Sequence, residues 1–146
     1  MADESHVRTP LFDRLVGGER TLTVRGLRES VRRELELLLN TRSSFPSRRL
    51  PGAPLTVIDY GIPPLADFSA RNADDQNKLA AALRDAIAAF EPRLASVRVR
   101  AIPPEVDQMS IEFAIDADHL VGENVRERVS FAITVRNGMA QVDAGT

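Results

Sequence analysis

Four carboxylates in this chain, Asp59, Glu91, Glu105 and Asp107, are of the type that flanks a glycosidic bond in a hydrolase. Such a pair needs one member kept protonated by an apolar wall. Glu91 is instead followed by Arg93 in the tetrapeptide Glu91-Pro92-Arg93-Leu94, and the guanidinium would hold it charged and poorly suited to giving up a proton. The chain has no tryptophan and a single tyrosine, so few flat rings are present to stack on a sugar. His6, in the tail, and His119, beside a predicted turn, have no second histidine at ligand spacing, and with no cysteine a thiolate metal site is excluded. Asp116, Asp118 and Glu123 loosely evoke a calcium loop, but the spacing is wrong and Gly122 comes late; they read as a polar hairpin connection. Neither a Gly-x-Ser-x-Gly elbow nor a phosphate-binding glycine loop is present. The residues therefore assign no catalytic group, metal or cofactor.

The chemistry of Glu91 and Arg93 is that of a fixed ion pair. Asn77 to Phe90 carry Leu79, Leu83, Ile87 and Phe90 on one face of a helical period. Pro92 cannot continue that helix and drives Glu91 into an extended conformation. A carboxylate there faces the negative end of the helix dipole, at a cost of about 0.3–1 kcal/mol unless a cation compensates. Arg93 is that cation, placed two residues on across a corner.

The elements that position this corner follow from periodicity. Leu27, Val31, Leu35, Leu38 and Leu39 predict a first helix from about 27 to 39, with Glu29 paired to Arg33 on a solvated face. It ends at Asn40-Thr41-Arg42. Between Phe45 and Leu65 stand Pro46, Pro51, Pro54, Pro63 and Pro64, which exclude regular helix. Within that stretch Leu55 to Ile58 read as a brief strand, and Asp59-Tyr60-Gly61-Ile62-Pro63-Pro64-Leu65 as a fixed turn with an aromatic anchor. The second helix starts at Asn72 to Asp74 and ends at Phe90. The period then becomes two, through Val97, Val99 and Ala101; Met109, Ile111, Phe113 and Ile115; and Val129, Phe131, Ile133 and Val135. Asn137-Gly138 is a type I′ hairpin signal leading into a short last strand at Met139 to Val142. The class is α+β: two main helices packed on one face of a small antiparallel sheet of three to four strands, with a Pro-rich connection between the helices.

Bulk properties narrow the function classes. The 146 residues suit one domain at 19–146, preceded by a tail at 1–18. In that tail Leu11, Phe12 and Leu15 form an apolar hook, set off by Gly17-Gly18, that docks on its own domain or on a neighbour. A net charge of −2 gives no global pull toward nucleic acid or anionic membrane. All basic residues but Lys78 are arginine, a composition that suits protein interfaces and also GC-rich coding. Arg98 and Arg100, with Arg128 and Arg136 beside them, lack interleaved aromatics and read as solvated charges that discourage edge aggregation. The polar N-terminus lacks the apolar core of a secretory signal, and no run approaches a membrane span. A cytoplasmic protein is expected.

An apolar Leu-Phe-Asp-Arg-Leu hook, a helix ending Leu-Asn-Thr-Arg, the turn Asp59-Tyr60-Gly61-Ile62-Pro63, a helix ending Glu91-Pro92-Arg93-Leu94 and a stranded finish follow in that order. In this the chain resembles the TssE family of bacterial type VI secretion baseplate subunits, over about residues 10–143; Pro64 departs from the pattern, which more often has an acidic residue there. That family is similar to the small wedge protein of contractile-tail phage baseplates, a group that carries a lysozyme-like label. The resemblance implies a structural role without cofactor, in a cytoplasmic, membrane-docked baseplate with TssF, TssG and TssK around the spike hub. It further implies that the subunit templates the TssB/TssC sheath by strand addition. Its interaction residues would be Glu91, Pro92, Arg93 and Leu94, supported by the 59–63 turn, by Asn40, Thr41 and Arg42, and by the Leu11, Phe12 and Leu15 hook. A peptidoglycan-cleaving enzyme and a generic adaptor of the same fold are the alternatives.

Overall fold

The computed structural model of the chain describes residues 24–43, 56, 59–103, 110–121 and 124–145. The hook at Leu11, Phe12 and Leu15, His6, Pro46, Pro51, Pro54, the strand read at 55–58 (Thr56 apart), Glu105, Asp107 and Glu123 lie outside those residues.

The leucine stripe dictates the first element. Helix α1 (Val24–Asn40) buries Leu27, Val31, Leu35, Leu38 and Leu39, each 2% exposed or less. It begins three residues ahead of the stripe, because a first turn needs helical dihedrals but no buried side chain. Helix α2 (Ala73–Phe90) starts where the sequence places it: the Asn72 Oδ1 accepts from the N–H of Asp74 at 2.9 Å and of Asp75 at 3.4 Å. Asp74 and Asp75 add negative charge to its first turn, the favourable end of the dipole. Leu79, Leu83 and Ile87 bury its inner face. Among the described residues no helix is long and apolar enough to cross a membrane.

Four strands follow, β1 (Leu94–Ile102), β2 (Ile111–Leu120), β3 (Arg126–Arg136) and β4 (Met139–Ala144), as an antiparallel meander in sequence order. Phe113, Ile115, Phe131, Ile133 and Val142 point from one face toward the helices and are 2% exposed or less. Asn137 and Gly138 have φ of 51° and 74°, the two positive values a type I′ turn requires. In β1 the register shifts between Ala95 and Arg98, with Ser96 at φ 53°.

Three sequence readings change. Asp116 and Asp118 lie within β2 and form no hairpin connection. Both sit on its solvent face, where polar residues satisfy the alternation: Asp116 accepts from the Ser130 hydroxyl at 2.7 Å and Asp118 lies 3.7 Å from Arg128. His119 is consequently a buried strand residue and no turn neighbour. Glu29 pairs with Arg32, at 2.8 Å, where the sequence suggested Arg33. Arg32 wins because it also reaches Glu36 at 2.7 Å and the Val142 carbonyl of β4 at 3.0 Å, which fixes its guanidinium between them.

The end of α1 is tied to distant chain. The Asn40 amide donates to the Ala140 carbonyl at 2.8 Å and accepts from the Ala140 N–H at 2.9 Å, standing in for a strand residue at the edge of β4. Arg42 donates to the Leu39 and Gly138 carbonyls. The Ile62 N–H donates to the Thr41 carbonyl and the Ser43 N–H to the Ile62 carbonyl, both at 3.0 Å, in a parallel bridge between Arg42 and Ile62. Gly61 is required there: its φ is +121°, and an added Cβ would lie 2.6 Å from the Thr41 carbonyl oxygen and 2.9 Å from the Ser43 nitrogen. Gly61→Ala should therefore destabilise the fold by more than about 1 kcal/mol, read as a lower midpoint in chemical denaturation. An unchanged midpoint would show that the turn does not depend on this close approach.

Candidate functional site

Glu91 caps α2 with backbone that has left the helical region without reaching the extended one (φ −118°, ψ 85°), donating its N–H to the Ile87 carbonyl at 2.9 Å. Pro92 offers no N–H and ends the helix there. The Glu91 residue is only 4% exposed. A carboxylate so far from water must be compensated, and Arg93 does this with two parallel bonds, Nε to Oε1 at 2.8 Å and Nη2 to Oε2 at 2.8 Å. The Arg93 backbone N–H adds a third bond to Oε1 at 3.1 Å. The remaining guanidinium nitrogen, Nη1, donates to the hydroxyl of Ser30 on α1 at 3.1 Å. The Arg93 carbonyl accepts from Leu120 of β2 at 2.8 Å, and the Leu94 N–H donates to the Glu91 carbonyl at 3.2 Å. Glu91, Pro92, Arg93 and Leu94 thereby join α1, α2, β1 and β2 at one point.

Beside this junction lies His119, 1% exposed on the core face of β2 between Leu94 of β1 and Glu127 of β3. Neither ring nitrogen has a hydrogen-bond partner among the described residues. Burial pushes its pKa below the ordinary histidine range; the positive charge of Arg93 pushes the same way, while Glu127 and Glu91 oppose. Arg28 of α1 bridges to Glu127 at 2.9 Å over the half-exposed side of the cluster.

The turn residues meet the other end of the same corner. The Tyr60 ring stands edge-on to Phe90, centroids 5.2 Å apart, on the residue preceding Glu91. Its hydroxyl is pushed up in pKa by burial and then by the negative charges of Glu34 and Glu91. The Asp59 carboxylate accepts from the Thr56 N–H and hydroxyl at 2.8 and 2.9 Å. Pro63 follows the Ile62 bridge, half-buried. Of the residues singled out in sequence, two groups thus converge: Asn40, Thr41 and Arg42 with the 59–63 turn, and that turn with the Glu91–Arg93 corner through Phe90.

Sequence reasoning missed Ser30, His119, Arg28 and Glu127. Two of these carry a signal. Ser30 falls three residues after Leu27 inside the apolar stripe, and continuing the Phe113, Ile115, Ala117 alternation puts His119 inward. The Arg28–Glu127 contact spans the chain and has none.

The arrangement fixes charges and does not expose them. Both Glu91 oxygens are engaged, Oε1 by the Arg93 backbone N–H and Nε and Oε2 by Nη2. Among the described residues no group of three or more His, Cys, Asp or Glu could hold a metal ion. The basic stripe read on β1 is interleaved with acid, Arg100 lying 3.9 Å from Asp116.

Comparison with known proteins bears on this geometry. The family model for baseplate wedge protein gp25 matches residues 25–124. Among solved structures, a chain of "The baseplate complex from the type VI secretion system" is similar at 19% identity and a TM-score of 0.53, covering 77% of this chain and 97% of that one. A Geobacter sulfurreducens protein described as a tail lysozyme is similar at 19% identity and a TM-score of 0.49, covering 80% of this chain and 97% of that one. At these identities the likeness is one of fold. No curated protein matches the chain.

Two outcomes are expected of the corner. Glu91→Ala leaves the Arg93 guanidinium buried without its anion and should cost about 3–5 kcal/mol in denaturant titrations; a loss below about 1 kcal/mol would mean the pair is only decorative. His119 is a base whose folded pKa lies below its ordinary value of 6.5, so the unfolded chain binds the proton first. Its contribution is complete above about pH 6.5 and is lost as pH falls below it, with a slope of at most about 1.4 kcal/mol per pH unit. His119→Leu should flatten the stability profile between about pH 7 and 5.5. A profile unchanged by that substitution would remove His119 as its source.

Proposed function

The chain belongs to the baseplate wedge protein gp25 family, and from that premise we propose that it is a structural baseplate subunit of a bacterial type VI secretion system. In this reading it sits in the cytoplasmic, membrane-docked baseplate, joined to TssF, TssG and TssK around the spike hub. There it templates the first TssB/TssC sheath subunits by strand addition to its sheet. The observation that carries the reading is the closure of Glu91 by the guanidinium and backbone N–H of Arg93, whose remaining guanidinium nitrogen donates to Ser30. That pair holds two helices and a sheet in one orientation, the requirement of a part that sets the geometry of its neighbours. The burial of Glu91 supports a role for it inside the subunit, as the frame on which docking surfaces depend. Its reversal therefore acts first on the fold and through it on assembly. The 1–18 hook is, in the same reading, a docking element for a wedge neighbour.

The full-length tagged chain, isolated from its native cells, is expected to bring TssF, TssG and TssK with it, and cells lacking it are expected to assemble no sheath by fluorescence microscopy. Purified chain that cleaves peptidoglycan, with the activity lost in Glu91→Gln, would overturn the structural assignment.

A further inference from the structure

The two edges of the sheet are not equivalent, and the difference can be traced residue by residue. In an antiparallel ladder, successive residues direct their N–H and carbonyl alternately toward one neighbour and the other. Asn40 bonds both the N–H and the carbonyl of Ala140, so Ala140 faces away from β3, and so does Val142, whose carbonyl accepts from Arg32. Through the registers Val135↔Ala140 and Ile133↔Val142, Val135 and Ile133 then face β2. Their partners Ile111 and Phe113 face β3, so Glu112 and Ala114 face β1. Their partners Ile102 and Arg100 face β2 in turn, which leaves the backbone of Val99 and Ala101 aimed outward.

At β4 three outward groups, the N–H and carbonyl of Ala140 and the carbonyl of Val142, are thus occupied by side chains of α1, which cover that part of the edge. At β1 no hydrogen bond to the outward groups of Val99 or Ala101 comes from another element among the described residues. The side chains there are patterned. Val97, Val99 and Ala101 are half-buried and continue the apolar core, while Arg98 and Arg100 stand on the solvent face between them. The Arg100 side chain is 75% exposed, with the Asp116 carboxylate 3.9 Å away.

We infer that the β1 edge, at 97–102, accepts one extended strand of a partner subunit, apolar at alternate residues and acidic between them. The apolar residues would extend the core beyond Val97, Val99 and Ala101, and the acidic ones would face Arg98 and Arg100. A second copy of this chain does not fit, because antiparallel β1–β1 pairing sets arginine against arginine. The inference rests on the strand-addition reading above and supplies its edge and the chemistry of the incoming strand.

Proline tests it, since at an outward-facing edge position it removes an N–H that bonds nothing in the ladder. Full-length chain carrying Ala101→Pro on β1 or Ala144→Pro on β4 (also outward by the same alternation) is titrated with purified TssB–TssC sheath subunits. Thermal melts check that each variant stays folded. Ala101→Pro is expected to weaken the Kd by about tenfold or more while Ala144→Pro leaves it unchanged. The pair Arg98→Glu, Arg100→Glu keeps every backbone bond and should weaken binding in the same direction should Ala101→Pro prove unstable. Loss with Ala144→Pro alone would overturn the choice of edge and leave strand addition standing. Full binding by all these variants would overturn strand addition itself.

Discussion

A charged group taken out of water needs a partner of fixed geometry, and Glu91 imposes that requirement on the rest of this fold. Its two oxygens are held by the fork of Arg93, whose third nitrogen reaches Ser30. Replacing such a pair with apolar side chains often leaves stability unchanged or raises it, so net stabilisation is a weak account of its presence. Orientation is a better one. An apolar core tolerates small rotations of a helix against a sheet, whereas a bidentate ion pair with a third bond to α1 does not. Of the elements at the corner, α2 and β1 are joined covalently through it, α1 by a side-chain bond and β2 by a backbone bond to Leu120. Movement of any one against the others must strain or break a bond made by Glu91 or Arg93.

A second constraint acts at the far end of α1. Asn40 and Arg32 occupy the outward backbone groups of Ala140 and the Val142 carbonyl on β4, a stretch that would otherwise be an open edge. The same helix end is held by the 61–62 bridge, which only a glycine at 61 permits. Helix α1 is therefore clamped at two points, to the charged corner through Ser30 and to β4 through Asn40 at its end. Because its leucines fill the core between those points, the helix has little freedom to slide.

Legibility in the sequence followed the range of the interactions. Leucine spacing, the Asn72 cap, the break at Pro92 and Asn137-Gly138 are local features, and the elements they announce are present. The Glu91–Arg93 pair was legible for the same reason, being two residues apart. Asn40 was readable as a helix end but not as a strand substitute, because its partner lies 100 residues on. Asp116 and Asp118 misled because an acidic pair has the same composition in a turn as on the solvent face of a strand. The phase set by Phe113 and Ile115 distinguishes the two, and continuing it would also have found His119. The Glu29 pairing failed more subtly: helical spacing offered Arg32 and Arg33 alike, and the bond from Arg32 to Val142 of β4 decided between them.

The inequality of the sheet edges bears on what kind of assembly the subunit can enter. A sheet open at both edges joins copies of itself into an unlimited ribbon, since each addition recreates the site just used. Covering β4 at Ala140 and Val142 with side chains of α1 obstructs that route on one side. Arginines on β1 oppose self-pairing on the other without blocking a strand of opposite charge. Under the strand-addition reading, such a domain takes up a single foreign strand and stops. A part that starts a polymer of other subunits needs that behaviour, because it must offer a growing end once and must not polymerise by itself. Asn40 then serves polarity as much as stability: by imitating a strand from within the chain, it leaves the sheet one direction in which to extend.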